Sequence, residues 1–485
     1  MKRIAVLAAM LGAFLLVFSL ADRSGLQPTP PAAEATQTTV TLFYGNNGDG
    51  SIGPIAGNGG ASENLLSLAI PPFCAPPCYI TSIVPDLIYW KDPNPALTDG
   101  MTANYNGADP QGVWLHHDAV ANGCLQTVFL SGNERTVYQS PAGYGSLIGV
   151  PGSPDDPNSC NFQWFVGWHI HNSGNAPHNV RLKFTVTYET GVTLNKLKGI
   201  SLNVATAVDA EYTIPTNYSD THTCPSSCGT GINTDHVVTA AEQGRVIAGG
   251  GHVHDWGIAV SVQNVTRNEW VCTSIGGYGT TSRYLQPNPN PPDPGHPASA
   301  NAQTLISGYM QPGFSPPAYH IQNMSLCNLS ARGSIVCTGD VLRVHTSYNN
   351  QSGFPITDAM GIVSLALPVN PPDADGDGIW DGCDTSDTDL DGYQDRTEAV
   401  VGTQANDNCA DNSSDPAWPS DINNDRFTDI TDIAALTGVF GMPVPPAGPP
   451  SAPDRYNVAP VQVDGFVDIT DIASLTARFG QGCTP

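Results

Sequence analysis

The stretch Val180-Arg-Leu-Lys-Phe-Thr-Val-Thr-Tyr188 alternates apolar and polar side chains without a break. A strand sends successive side chains to opposite faces, so this run has one apolar and one polar face. Thr38–Phe43, Val246–Ala248, Ile258–Val262 and Val341–Val344 are similar short runs, alternating or β-branched, with Gly, Pro and Asn clusters between them. That is the pattern of an all-β sandwich. The span 39–368 exceeds a single sandwich of ~100 residues, so two tandem sandwiches are expected, 39–199 and 200–368, with the seam near Gly199.

Composition agrees. Fifty Gly and 42 Pro in 485 residues argue against long helices. With 40% hydrophobic and 13% charged residues, the chain is neither a coiled coil nor generally disordered. A net charge of −26 excludes nucleic acid as a partner, because phosphate binding needs clustered Lys and Arg.

Met-Lys-Arg followed by an apolar run from Ile4 to Leu20 and a small residue at Ala21 reads as a signal peptide, residues 1–21. No later segment is apolar enough to span a bilayer, so the mature chain is expected to be secreted, without a membrane span. Residues 22–38, rich in Pro, Thr, Ala and Gln, read as a linker. Twelve cysteines in an exported chain suit disulfides. Cys74/Cys78, Cys224/Cys228 and Cys327/Cys337 are near enough in sequence to pair locally. Cys124/Cys160 and Cys383/Cys409 are longer candidates, and connectivity stays open at this point.

The acidity is concentrated. Residues 371–485 hold 21 of the 44 Asp and Glu, four Arg and no Lys. Within 369–412 the acids follow a calcium-loop spacing. Asp387, Asp389, Asp391, Asp395 and Glu398 occupy positions 1, 3, 5, 9 and 12, Gly392 stands at 6, and Tyr393 at 7 offers its carbonyl. Asp373, Asp375, Asp377, Asp381 and Asp384 repeat the spacing upstream, with Gly378 at position 6. Within 413–485 a repeat appears: 425–441 (DRFTDITDIAALTGVFG) matches 464–480 (DGFVDITDIASLTARFG). Each copy joins a half-loop to a helix with apolar residues at 3–4 spacing: Ile433, Leu436 and Phe440, then Ile472, Leu475 and Phe479. The first loop offers Asp421, Asn423, Asp425, Asp429 and Asp432 but carries Arg426 where Gly is usual. The second keeps Asp464, Asp468 and Asp471, with Pro460 and Gln462 at positions 1 and 3.

These tandem loops resemble thrombospondin type 3 repeats, and the duplicated loop-helix resembles a type I dockerin module. The second resemblance implies a small helical module that binds a cohesin-type domain. Its recognition residues, at loop positions 10 and 11, fall on Ile430/Thr431 and Ile469/Thr470. A cell-surface or polysaccharide scaffold is the wider partner class.

All twelve His lie in the β region. They include His116-His117, the pair His169 and His171 with His178 nearby, and His252 with His254. Residues i and i+2 on a strand face one way, so each HxH presents two imidazoles together. Imidazole suits Cu, Zn, Fe and Ni alike. His222, His236, His296, His320 and His345 read as surface or hydrogen-bonded. No GxSxG triad order and no HExxH occurs.

The order His-His, a His ahead of a strand, HxH and a late Met resembles the type II copper monooxygenases, which include the peptidylglycine and dopamine enzymes. The resemblance implies two β-sandwich lobes with one copper each. His116, His117 and His171 match the first ligand set, with Cys124 following as in the family, and His252, His254 and Met360 match the second. A thioether favours copper over zinc. Gly250 replaces the Arg that holds the substrate carboxylate in peptide-hydroxylating members, and Gly361–Val363 lack their polar contacts. GGHVHDWG and HIHN are closer to the stress-upregulated nodulin-like relatives. The implied activity is C–H hydroxylation with O2 and an external reductant, with no catalytic residue beyond the metal ligands. The implied cofactors are two coppers and calcium. Trp168, Trp256, Tyr319 and Tyr348 are candidate pocket or core aromatics. The alternatives are a non-catalytic extracellular metal-binding or adhesion protein, and a dockerin-borne protein acting on polysaccharide. Either enzyme requires an open pocket between the lobes.

Overall fold

The computed structural model describes residues 36–484, apart from 70–72, 75, 104–112, 123–126, 150–162, 173, 205–211, 217–234, 255, 279–320, 328–334, 349, 351–354, 370, 445–450 and 460–465. Expectations for the signal peptide, most of the linker, Cys124/Cys160, Cys224/Cys228, His222, His296, His320, Tyr319 and Asp464 therefore lie outside the described residues. The strands are β1 (Thr36–Tyr44), β2 (Ile52–Ile55), β3 (Gly60–Ala69), β4 (Cys78–Tyr89), β5 (Val113–Asn122), β6 (Thr127–Gly132), β7 (Tyr138–Gln139), β8 (Tyr144–Ile148), β9 (Gln163–Asn172), β10 (His178–Thr190), β11 (Asn195–Asn203), β12 (Tyr212–Ile214), β13 (Asp235–Thr239), β14 (Gly244–Arg245), β15 (Ala248–Val253), β16 (Gly257–Asn264), β17 (Glu269–Tyr278), β18 (Ile321–Met324), β19 (Ile335–Val336), β20 (Val341–Tyr348), β21 (Ile356–Ala359) and β22 (Gly361–Pro368). The described helices are short: α1 (Asp395–Val401), α2 (Ile430–Thr437) and α3 (Ile469–Ala477). The chain is mainly β, as the alternation predicts.

β10 shows why. Val180, Leu182, Phe184 and Val186 are fully buried. They meet Trp164, Val166, Trp168 and Ile170 of β9 and Val113, Leu115 and Val120 of β5 in one apolar cluster. Burying each such side chain contributes roughly 1.5–3 kcal/mol. This cluster lies between a nine-stranded sheet, β1-β10-β4-β8-β11-β22-β15 with β2 and β7 attached, and a four-stranded sheet, β3-β9-β5-β6. A second cluster joins Val260, Val262, Val271, Leu342 and Val344 to Val253, Val363, Leu365 and Leu367. It lies between a five-stranded sheet, β13-β20-β16-β17-β18, and the β22-β15 end of the nine-stranded sheet. Trp168 belongs to the first cluster, and Trp256 packs against the second.

One sheet thus serves both clusters, and β11 is the link. Asn195 and Lys196 pair with β8, while Leu197–Asn203 pair with β22. The seam expected near Gly199 falls inside this strand. A methyl on Gly199 would lie 1.5 Å from the Thr127 carbonyl oxygen, so β11 crosses β6 where only glycine fits. At the other end of the first half, β1 begins inside the expected linker, with Thr36, Gln37 and Thr38 opposite Thr190, Glu189 and Tyr188.

Four disulfides are described: Cys74–Cys78, Cys272–Cys327, Cys337–Cys383 and Cys409–Cys483. The first is the local pair expected. Cys327/Cys337 and Cys383/Cys409 are corrected, because antiparallel pairing of β17 with β18 carries Cys327 back beside Cys272 rather than onward to its sequence neighbour. The bonds match an oxidising compartment. No described helix is long and apolar enough to cross a membrane.

Candidate metal centres

The strand period decides where the histidines go. Along β9 the even residues Trp164, Val166, Trp168 and Ile170 enter the core, so His169 and His171 stand on the opposite face. On β5 the adjacent pair His116-His117 cannot share a face in a regular strand. A bulge solves this: Leu115 pairs with Ile170 and His117 with His169, so His116 is the extra residue. The two rings then meet, Nδ1 to Nδ1 at 2.9 Å. His116, His117 and His169 each bring a ring nitrogen within 4.8 Å of the others. Trp114 stacks on His171 at 4.9 Å between ring centres.

β15 supplies the rest. Val253 enters the second apolar cluster, which turns His252 and His254 to the other face. Ring centres lie 4.4 Å apart for His116 and His254, 4.5 Å for His116 and His169, 4.9 Å for His116 and His171, 4.4 Å for His169 and His171, and 5.1 Å for His252 and His254. All six imidazoles belong to one cluster. The resemblance divides five of them between two sites and leaves out His169.

The cluster is electrostatically suited to a cation. Burial, and then the neighbouring imidazoles, hold His116 and His254 well below the ordinary histidine range and push His171 down to about 4. Neutral rings keep a lone pair for coordination. The Nε2 atoms of His171, His252 and His254 are buried without a hydrogen-bond partner. A metal ion is the partner such convergent lone pairs fit. His116, His252 and His254 are closed in, whereas His117, His169 and His171 are half-buried and leave one side accessible.

Two further residues shape the site. Glu134 Oε1 accepts a hydrogen bond from His252 Nδ1 at 2.9 Å and another from Thr136 Oγ1 at 3.1 Å. The Tyr348 hydroxyl accepts from the His254 main-chain N–H at 3.0 Å and donates to the Met360 carbonyl at 2.6 Å. The β15–β22 register, with Val253 opposite Gly361, puts Met360 beside His254. Met360 is fully buried yet belongs to neither apolar cluster of the β region. His169 was discoverable from its i, i+2 relation to His171. Glu134 had no such signal.

The other described histidines stand apart from the cluster. His178 binds Asp92 through Nδ1 at 3.1 Å, His236 Nδ1 binds the Asn203 carbonyl at 2.8 Å, and His345 binds Ser347, so these three serve other hydrogen bonds. Among the described residues, a small cavity lies where β6–β7 face β15–β22. The cavity there, lined by Phe129, Thr136, Tyr138, Gly250 and Leu365, measures about 40 Å³, room for little more than water.

The acidic tail carries a second kind of candidate site. Asp373, Asp375 and Asp377 gather their carboxylates, as do Asp387, Asp389 and Asp391. Gly378 and Gly392, at position 6, take φ of 90° and 89°, where a side chain is strained. In the second loop Asp387 Oδ1, Asp389 Oδ2, Asp391 Oδ2 and Glu398 Oε2 are buried without partners. Burial, then mutual repulsion, pushes Asp389 up to about 6, Asp391 to about 7 and Glu398 to about 10. Inward-facing oxygens at positions 1, 3, 5 and 12 fit a hard cation. Asp395 departs from expectation: it accepts from Thr388 and Ser386 instead of standing open. Asp381 and Asp384 likewise accept from Ala374 and Ser386 main-chain N–H groups.

The repeat folds as the sequence predicts in part. Asp429 with Asp432, and Asp468 with Asp471, form matched capping boxes on α2 and α3. In the first copy Asp421 accepts from the Asp425 and Arg426 main-chain N–H groups, Asn423 contacts Asp425, and Arg426 adopts the glycine-like φ of 77°. Ile433, Leu436, Ile472 and Leu475 join one apolar cluster, but Phe440 and Phe479 lie beyond the helices and are exposed. Ile430 and Ile469 open α2 and α3 with about two-thirds of their surfaces free (63% and 64%), and Thr431 and Thr470 stand exposed beside them.

No family model matches this chain, and the comparison with curated proteins found no match. Among solved structures, similarity extends to a peptide-N(4)-(N-acetyl-β-D-glucosaminyl) asparagine amidase, with 11% identity, 69% of this chain and 97% of that one covered, and a TM-score of 0.30. A recombinant peptide:N-glycanase F gives 10% identity, the same coverage and TM-score 0.30. The glycosylasparaginase from Flavobacterium meningosepticum gives 9% identity, 69% and 98% coverage, and TM-score 0.26. Similarity at this level carries no argument about activity.

Proposed function

We propose that this chain is an exported copper-dependent oxidoreductase of the monooxygenase type, built on two β-sandwich lobes and carried on a calcium-dependent docking module. The observation that supports it is the convergence of His116, His117, His169, His171, His252 and His254, with the buried Nε2 atoms of His171, His252 and His254 lacking a hydrogen-bond partner. Met360, beside His254 in register, adds the soft ligand that favours copper. Copper, when bound, supplies the one-electron chemistry that lets O2 attack a C–H bond, with an external reductant. The chain's own share is to hold the converging imidazoles in place, to fix the His254 and Met360 main chains through Tyr348, and to admit substrate over the half-exposed side. In the tail, the Asp373 and Asp387 loops take calcium, and the repeated faces at Ile430/Thr431 and Ile469/Thr470 take a cohesin-type partner.

Metal analysis after loading with Cu²⁺, followed by ascorbate-driven O2 uptake, tests the reading on the whole chain. Bound copper that falls with His252→Ala and Met360→Ala is expected. Zinc retained in preference to copper, or no copper above background, sinks it. A second reading, a metal-binding protein without turnover, draws on the closure of His116, His252 and His254. It is favoured instead if copper binds with no O2 consumption over a broad substrate screen.

A further inference from the structure

We infer that the six imidazoles form one coupled two-metal centre shared across the two halves of the β region, and that Glu134 is its positioning residue. This rests on the metal-centre reading above but departs from the arrangement that the resemblance implies, which keeps one metal in each lobe. His116, from β5, has its ring centre 4.4 Å from that of His254, from the β15 segment, and 4.5 Å from that of His169. No gap separates a first set of rings from a second. Two metals held by these side chains are neighbours, so each lies within the other's field and magnetic influence.

Glu134 carries the coupling between the halves. It follows β6 on the first half and is fully buried. Its Oε1 accepts the Nδ1 proton of His252 on the second half, which leaves Nε2 as the lone-pair nitrogen facing the cluster. Thr136 Oγ1 steadies the same carboxylate oxygen and also reaches the Gly251 carbonyl at 3.0 Å, so the 134–136 segment grips β15 at two points. Gly132 completes the fit: a methyl there would lie 2.4 Å from His252 Cε1 and 2.7 Å from Glu134 Oε2. The ring of one half is seated in a glycine-sized notch of the other.

The experiment is copper titration of the full chain with metal counting and electron paramagnetic resonance, including spin quantitation and the half-field region. Two coppers per chain with a spin count well below two, or with a half-field transition, supports the shared centre. Two coppers with a full spin count and no half-field feature overturns it while leaving copper binding intact. One copper per chain also overturns it, and no copper removes the functional reading with it. His117→Ala, at a half-exposed position, is expected to leave one copper with a full, uncoupled spin. Glu134→Gln keeps the shape but loses the carboxylate acceptor, and weakens copper binding by ~10–100-fold with a changed hyperfine pattern. Glu134→Asp is expected to restore part of both. An unaltered spectrum and affinity in a folded Glu134→Gln chain excludes the positioning role.

Discussion

Replacing Gly132 with Ala tests the meeting of the two halves at a single methyl group. Gly132 ends β6 with ordinary backbone angles, so alanine brings no backbone strain; the whole cost is space. The added carbon would meet His252 Cε1 at 2.4 Å, Glu134 Oε2 at 2.7 Å and the His116 carbonyl oxygen at 2.7 Å. Relief to van der Waals contact needs a shift of about 1 Å, and the backbone oxygen cannot yield as a side chain would. Overpacking of this kind costs about 1–3 kcal/mol. Urea unfolding of the metal-free chain measures that part. The same displacement moves His252 off Glu134, and losing such an outer contact weakens metal binding by ~10–100-fold, or about 1.4–2.8 kcal/mol. Copper titration calorimetry measures that second part. Gly48→Ala, where an added carbon meets nothing within 4 Å, is the control and is expected to stay within about 0.5 kcal/mol. A Gly132→Ala chain matching this control in both stability and copper affinity would refute the contact between β6 and His252, and with it the shared centre.

Calcium at 100 times its Kd is expected to stabilise the tail by about 2.7 kcal/mol, and Glu398→Gln, which removes the position-12 acid, is expected to abolish most of that shift in a chelator-controlled melt. Arg478 donates to the Asp391 and Gly392 carbonyls and lies 4.3 Å over the Tyr393 ring, so Arg478→Ala is expected to lower calcium affinity of that loop by roughly tenfold, read by titration, and to speed amide exchange in α3. Asp454 is pushed up to about 6 by burial, with Arg245 opposing. Its folded value exceeds the unfolded one, so the stability it contributes is complete below about pH 4 and is lost as pH rises through 6. Asp454→Asn is therefore expected to flatten the pH dependence between 4 and 6. It should also gain about 1 kcal/mol at pH 7, after discounting ~2 pK units for partial exposure, as urea unfolding at both pH values will show.

What the sequence made legible follows from range. β10 was plain because a period of two over nine residues is a local property of strand geometry. The gathering of the Asp387-loop carboxylates around the Gly392 turn was plain because these acids and the turn lie within twelve residues. The i, i+2 pairs pointed to clusters, but nothing local told that His116 would be bulged toward His117, or that β5, β9 and β15 would face one another. Glu134 was invisible for the same reason: its partner is 118 residues away. The disulfides failed most clearly where sequence proximity stood in for space, since Cys409 bridges 74 residues to Cys483 rather than joining Cys383. The linker was misjudged at its end because Thr36–Thr38 owe their strand to pairing with β10, not to their own composition.

The pairing of β11 with β22 also sets a timetable. Residues 197–203 must wait for residues 362–368 before their sheet closes, so nothing synthesised earlier can finish. Until then β11 presents an open edge, the feature through which partly folded chains join one another. Long-range closure of this kind is slow. A fragment ending after β11 should therefore associate rather than fold. The six histidines of the proposed centre straddle that same closure, so on this reading the complete centre can be loaded only in a chain that has completed the sheet. Occupancy of the centre is then a record of finished folding, and empty chains in a preparation are expected to be the misassembled ones.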